Sequence, residues 1–384
     1  MVAITRVKII LEDGIIWDGR LLLDGGVIVE AGRACDVDIP AEADVVDARG
    51  LYAAPGLIDI HHHGSEDKLF FEDPEGCSRR LLEHGVTRVL PTLYCDLSTE
   101  TLIKASTALK EASSSGYSRI IAGLYMEGPY MGGFGSNQEA ILHSGVIDPA
   151  EYLPLLDAAA GFARVWAVDP ARPGIDRFMK DVKEKDPRAI FAMGHSRATA
   201  EECRRVRRYG LRLQTHHGDS GKAKGRNQVT VGAGCDEYTL YDPDIFAEII
   251  CDENGIHLDP DLVRMVLRTK GVERVILISD SMPDRFHTKN NEADGVLYGP
   301  DLNYDREGHL AGSRLTLDSA CRNVMAHTGC GIAQAVRMAS LNPARLLGID
   351  GEYGSIEPGK AADVVLIDDT VKVGAVFLGG KRVF

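Results

Sequence analysis

Asp59-Ile60-His61-His62-His63-Gly64 follows Pro55-Gly56 and the apolar pair Leu57-Ile58. Side chains alternate across an extended strand, so His61 and His63 share one face and can grip one metal ion, while His62 points to the other. Histidine triplets also arise on surface loops, but an apolar run feeding straight into this one argues for a strand end. Further imidazoles and carboxylates close other apolar runs: Glu127 after 120–126, His195 after 189–193, His216 after 211–215, His257 after 245–251 and Asp280 after 274–278. Any one of them alone reads equally well as a hydrogen-bonded structural residue; their shared position argues for a common site. Nitrogen and oxygen donors without thiolate suit zinc, with iron(II) or manganese as alternatives. One or two such divalent ions lower the pKa of water toward neutrality and polarise a carbonyl oxygen, and a nearby carboxylate can then carry a proton to a leaving group. Asp280, in Ser279-Asp280-Ser281-Met282 behind Val275-Ile276-Leu277-Ile278, is the candidate proton shuttle; a further ligand or a helix N-cap are its structural alternatives.

The elements that must position these groups are legible as apolar runs. Eight strand candidates, 57–63, 88–93, 120–126, 163–168, 189–193, 211–215, 245–251 and 274–278, alternate with amphipathic segments such as 75–84, 99–112 and 260–270, and further helices are expected at 316–327 and 332–340. That alternation predicts an α/β chain with a parallel sheet and helical crossovers. Eight units in succession favour a closed (β/α)8 TIM barrel over an open doubly wound sheet, and no glycine-rich dinucleotide fingerprint follows the first strand. In such a barrel functional groups sit at the C-terminal ends of the strands, which gathers all the candidates on one rim. The two chain ends differ in character: 7–11 and 26–29 flank an Asp13-Gly14 turn, and 362–367 and 376–378 precede Gly379-Gly380. They predict one small β-sandwich assembled from both termini, 1–54 and 355–384, around a barrel of 55–354.

Composition narrows the function classes. A net charge of −14 disfavours general nucleic-acid binding, and no apolar run approaches the roughly 18 residues of a membrane span. Residues 1–20 lack the pattern of a secretory signal, and the eight cysteines show no Cys-x-x-Cys spacing, so reduced thiols in the cytoplasm are expected. Arg204, Arg205, Arg207 and Arg208 follow Glu201 and Glu202 at helical spacing, which reads as a solvated helix face with its basic end toward the C-terminus. Lys222, Lys224 and Arg226 form a second basic group in a glycine-punctuated stretch.

Taken together, these residues resemble the amidohydrolase superfamily and, within it, the N-acetylglucosamine-6-phosphate deacetylases. Pro-Gly-Leu-Ile-Asp-Ile-His-His-His-Gly at 55–64 resembles the first-strand motif, Met126-Glu127-Gly128-Pro129 the Glu-Gly-Pro motif, and Gly194-His195-Ser196 and Thr215-His216 the two later histidine motifs. Asn254-Gly255-Ile256-His257-Leu258 is similar to the substrate-histidine segment, Ser279-Asp280-Ser281-Met282 to the catalytic aspartate motif, and Leu310-Ala311-Gly312-Ser313 to the loop near the acyl group. Asn342-Pro343-Ala344 through Gly359-Lys360-Ala361-Ala362-Asp363 matches the C-terminal signature. The resemblance implies His61, His63, Glu127, His195 and His216 as metal ligands, Asp280 as general base and then acid, and hydrolysis of an N-acyl amide. It also implies a homodimer. Both first-strand histidines are present, so a second metal bridged by Glu127 is compatible with the motif.

The substrate side departs from the family. Where relatives carry a Gly-x-His-Asn whose histidine touches the substrate carbonyl, this chain has Gly135-Ser136-Asn137-Gln138, and Asn137 is the weaker donor to an oxyanion. After Thr-His it reads His217-Gly218-Asp219-Ser220, with Asp219 in place of a phosphate-side asparagine. Gly225-Arg226 resembles the Gly-Arg whose arginine contacts the sugar phosphate, and Lys222, Lys224 and Arg226 are near enough in sequence to offset a carboxylate. Either a phosphorylated amino sugar is kept through a rebuilt basic loop, or the pocket takes a different small N-acyl substrate whose amine pairs Asp219. A cyclic-amide hydrolase or deaminase is the neighbouring alternative, but the end of the fourth strand, Val168-Asp169-Pro170, offers no lysine to carbamylate. A non-catalytic relative is expected to lose ligands, and all are present. His84, His143, His287, His309 and His327 are expected at the surface or in packing, whereas His62 and His217 each neighbour a ligand.

Overall fold

Eight parallel strands surround the centre of the molecule in chain order: β1 (Leu57–His62), β2 (Val86–Tyr94), β3 (Leu124–Glu127), β4 (Ala163–Val168), β5 (Ile190–Met193), β6 (Leu211–Gln214), β7 (Phe246–Ile250) and β8 (Val275–Ile278). They are seen in a computed structural model that describes residues 1–132, 142–143, 145–219, 232–283, 299–304 and 310–384. Each strand pairs with the next, and closure joins the C-terminal end of β1 to the residues just past β8: Asp280 N donates to His61 O at 2.9 Å and His63 N to Ser281 O at 2.9 Å. All four residues of β8 are fully buried, as expected of a strand covered on both faces. This is the predicted TIM barrel.

Boundaries shift where glycine intervenes. The run 120–126 is not one strand: Tyr117–Ile120 forms a 3-10 turn, Gly123 adopts φ 144°, and β3 begins at Leu124. His63 falls just beyond β1. The crossover helices follow the usual amphipathic logic. In Ile175–Lys185 the buried residues are Ile175, Phe178, Met179 and Val182, a single stripe at the helical period, and Phe178 packs edge-on against Tyr130, Tyr152 and Trp166. The basic run after Glu201 is more engaged than a solvated face. The helix Ala200–Val206 gives way to a 3-10 turn at Arg207–Tyr209, Arg205 pairs with Asp176, and Arg207 reaches Asp244 at 2.8 Å.

Both termini enter one eight-stranded mixed sheet. Val2–Leu11 pairs antiparallel with Gly14–Asp24 and parallel with Asp44–Asp47 and Tyr52–Pro55, and Val364–Ile367 lies antiparallel to Tyr52–Pro55. Alternate residues serve two cores. Ala53, Val364, Leu366, Ala375 and Phe377 join Ile4, Ile9 and Leu21 inside the module, while Ala54, Val365, Ile367, Val376 and Leu378 join the barrel core. The C-terminal signature has a mechanical use here, since Asp363 pairs with Arg88 of β2 at 3.0 Å and accepts from Gly379 N at 2.8 Å. Entry into the barrel needs a glycine: a Cβ on Gly56 would stand 2.0 Å from Thr87 Oγ1. All eight cysteines are free, and among the described residues no helix is long and apolar enough to cross a membrane.

Candidate metal centre

Glu127, at the end of β3, divides a cluster of four imidazoles between its two oxygens. Oε2 lies 3.6 Å from His61 Nε2 and 3.3 Å from His63 Nε2, whereas Oε1 lies 3.0 Å from His195 Nε2 and 3.1 Å from His216 Nε2. Asp280 joins the first half, with Oδ1 at 3.3 Å from His61 Nε2 and 3.1 Å from His63 Nε2. Two ligand sets therefore share one carboxylate: His61, His63 and Glu127, and Glu127, His195 and His216, the donor atoms of each lying within 4.8 Å of one another.

The hydrogen bonds around the cluster favour a cation at its centre. His61 Nδ1 donates to Glu248 Oε2 at 3.2 Å, which in the neutral ring leaves Nε2 with a lone pair, and that nitrogen is buried with no hydrogen-bond partner. A lone pair facing the Glu127 and Asp280 carboxylates is repelled unless positive charge lies between them. Burial alone would push the His61 and His63 imidazoles down, yet Asp280 and Glu127 hold both above the ordinary histidine value, His61 well above it. Burial would likewise raise Glu127 and Asp280, but His61 and the neighbouring imidazoles hold them below the ordinary carboxylate range, Glu127 well below. The pocket thus draws in positive charge, supplied by imidazole protons or by divalent ions.

The backbone aims these side chains at a cost. His195, His216 and Asp280, each just past its strand, adopt φ of 46°, 27° and 50°. Left-handed conformations at non-glycine residues cost roughly 1–3 kcal/mol each and persist only where neighbours enforce them. The enforcement is visible. Ser196, next to His195, bonds Asp169 at the end of β4; Tyr125 OH and Thr215 Oγ1 meet at 2.8 Å; Ser313 N donates to Asp280 O at 2.8 Å. At the turn after β6, Glu248 Oε2 accepts from His216 N at 3.2 Å while Glu248 O accepts from His217 N at 2.8 Å. Sequence reasoning did not single out Glu248, although a lone acid inside the apolar run of β7 was the available signal.

The expected substrate-side residues are partly gathered. Leu310–Ser313 is a short strand paired with Leu302–Tyr304, and it runs beside Asp280. His257, also a candidate on the metal-bearing rim, stands apart from both ligand sets. Its Nε2 donates to Gly312 O at 3.2 Å and its Nδ1 to Asp252 Oδ2 at 3.3 Å, an arrangement that needs both ring protons. Asp219, in the turn after His216, is partly exposed and adds to the negative field at His257. His217 is buried, with Nδ1 bonded to Gln214 Oε1 at 2.6 Å, and burial next to Lys270 lowers its pKa to about 4. Asn137, Lys222, Lys224 and Arg226 lie outside the described residues, as do His287 and His309. His62 faces away from the cluster, as alternation requires; it bonds Ser279 and Ser65 and lines a cavity of about 160 Å³ between β1, β8 and the surrounding helices. His84, His143 and His327 are occupied elsewhere, by Asp318, Glu151 and the Glu253 carbonyl.

The amidohydrolase family profile matches residues 52–383. The chain is 31% identical to the N-acetylgalactosamine-6-phosphate deacetylase of Escherichia coli O157:H7 over 391 residues, 97% of each chain. It is 28% identical to the N-acetylglucosamine-6-phosphate deacetylase of Caenorhabditis elegans, over 96% of this chain and 90% of that one. Among solved structures, the Pasteurella multocida N-acetylglucosamine-6-phosphate deacetylase shares the fold with a TM-score of 0.86 at 24% identity, covering 99% of both chains. A mutant of the Mycobacterium smegmatis enzyme in complex with N-acetyl-D-glucosamine-6-phosphate superposes with a TM-score of 0.83 at 25% identity, over 99% of this chain and 98% of that one. With the profile spanning most of the sequence and a 31% identical relative covered nearly end to end, the chain belongs to the amidohydrolase family.

Proposed function

We propose that the chain is a metal-dependent N-deacetylase that hydrolyses the linear acetamide of an amino sugar, with zinc as the ion. The observation that supports this most directly is the division of the Glu127 carboxylate between two histidine pairs, with Asp280 against one of them. His61, His63, Glu127, His195 and His216 would hold one or two divalent ions. Such ions supply Lewis acidity toward the acyl carbonyl and make water nucleophilic near neutral pH. Asp280 accepts the proton released as water adds to the acyl carbon and returns it to the nitrogen as the C–N bond breaks. The second proton of the water passes from the new carboxyl group to the same nitrogen, so acetate and the protonated amine leave with no net proton taken from the protein. Leu310, Ala311 and Gly312 bound the acyl side, and His257, fixed by Asp252 and Gly312, lends positive charge to the same wall.

The substrate class follows the relatives in its N-acetylhexosamine core. Relatives named for both the glucosamine and galactosamine 6-phosphates leave the sugar epimer as one variable, and Asp219 makes the phosphate another. A second reading, an unphosphorylated N-acyl amine paired by Asp219, rests on that residue. We further propose that the protein acts in the cytoplasm as a homodimer, with the barrel spanning 55–354.

Amine release by zinc-reconstituted protein tests these readings on the two 6-phosphates, the two free N-acetylhexosamines and a panel of other N-acyl amines. Turnover of a phosphorylated sugar alone supports a basic loop built from Lys222, Lys224 and Arg226. Turnover confined to unphosphorylated compounds would transfer the assignment to the second reading. No amine release from any of them would overturn the deacetylase.

A further inference from the structure

Glu248 is placed to control both halves of the cluster at once. It projects from the middle of β7, where its neighbours Phe246, Ala247, Ile249 and Ile250 are buried and apolar, and it is itself fully buried. A carboxylate in such surroundings is costly unless its bonds repay it. One oxygen, Oε2, accepts two of them: from His61 Nδ1 at 3.2 Å and from the backbone N of His216 at 3.2 Å. The same residue's carbonyl accepts from His217 N at 2.8 Å. His61 belongs to one ligand set and His216 to the other.

We infer that Glu248 is a positioning residue that couples the two ligand sets, fixing the His61 tautomer and the strained His216 turn through one oxygen atom. The bond to Nδ1 keeps the proton on that side of the ring, so Nε2 presents a lone pair toward Glu127 and Asp280. The bond to His216 N secures the φ of 27° that turns this imidazole toward Glu127 Oε1. Partners of this kind raise ligand basicity as well as orienting the ring. Glu248 touches no reacting atom. It acts through His61 and His216, so its loss is felt as weaker binding in both halves, where loss of any one histidine ligand weakens its own.

The inference rests on the cluster being a metal centre, and zinc titration of the apoprotein by calorimetry, with content checked by elemental analysis, separates the two claims. Wild-type protein that takes up no zinc would remove the metal reading itself. Given wild-type uptake, Glu248→Ala should bind zinc about 10–100-fold more weakly in every site that the wild type fills. Glu248→Gln, whose amide oxygen can still accept both bonds, should recover part of that loss. Nitrogen NMR of the apoprotein gives an independent reading: the His61 Nδ1 proton signal should weaken or move in Glu248→Ala and be retained in Glu248→Gln. Unchanged zinc affinity in Glu248→Ala, or loss confined to one site of two, would overturn the coupling. If Glu248→Ala fails to fold, Glu248→Gln decides alone. Removing the carboxylate charge should still weaken zinc several-fold in each site, and wild-type affinity in that variant overturns the inference.

Discussion

Gly312 lies so close to Asp280 that a Cβ on the glycine would stand 2.7 Å from the Asp280 carbonyl oxygen, and its φ of 61° already favours glycine. The neighbouring Ser313 ties the same segment to Asp280 through its backbone N at 2.8 Å. Short strand and proposed proton shuttle therefore move together. Gly312→Ala should displace one from the other, lowering kcat more than it lowers thermal stability, whose cost for a left-handed alanine is about 1–3 kcal/mol. Parallel measurement of kcat, zinc content and melting temperature checks this. Unaltered kcat in a folded variant would separate this strand from the chemistry.

Asp280→Asn keeps the shape of the side chain and removes the base. If Asp280 shuttles the proton, kcat should fall by about 10²–10⁴-fold while zinc content stays near that of the wild type, because the four imidazoles and Glu127 remain. Loss of zinc in proportion to loss of rate would instead make Asp280 chiefly a ligand, the alternative its contacts with His61 and His63 keep open.

The division of Glu127 predicts unequal losses among the ligands. His195→Ala removes a donor near Oε1 only, and His63→Ala one near Oε2 only. In a two-ion centre each should lower zinc content by about one ion per chain. Glu127→Ala should lower both, and it also strips the buried imidazoles of their shared counter-charge, a change worth roughly 3–5 kcal/mol when a buried pair is broken. Elemental analysis of the dialysed variants distinguishes this from a single ion, for which Glu127→Ala and only one of the two histidine variants, the one in the occupied set, would be empty.

Much of this arrangement was legible in the residues. The barrel strands show as apolar runs because both faces are covered, and His61 and His63 follow from strand alternation alone. Other parts depend on contacts that local sequence does not encode. Glu127 reads as the end of one strand, and its division between two histidine pairs exists only once β1, β5 and β6 surround it. The left-handed backbone at His195, His216 and Asp280 has only a weak local signature, since histidine and aspartate enter that region more often than most residues but far less readily than glycine. Glu248 was hidden for a related reason: period-two reading marks an acid in an apolar strand as an exception but does not say which ligand it will meet. Helices such as Cys235–Tyr241, at seven residues, are too short to display a full periodic stripe.

Burial would lower the His257 pKa, but the hydrogen bond to Asp252 and the charges of Asp219, Asp252 and Asp280 raise it above 6.5, while the same histidine and two backbone N–H groups hold buried Asp252 below 3.8. A raised histidine contributes stability that is complete below its unfolded pKa and fades as pH rises through its folded one. A depressed aspartate contributes above its unfolded pKa and fades as pH falls through its folded one. The pair is therefore at full strength between about 3.8 and 6.5 and weakens on the alkaline side as His257 loses its second proton. His257→Gln keeps a neutral donor but cannot take up that proton. The wild type's margin in melting temperature over this variant should be largest near pH 6 and shrink toward pH 9. A margin independent of pH would mean that His257 is neutral in the folded protein, and that Gly312 O does not receive the proton on Nε2.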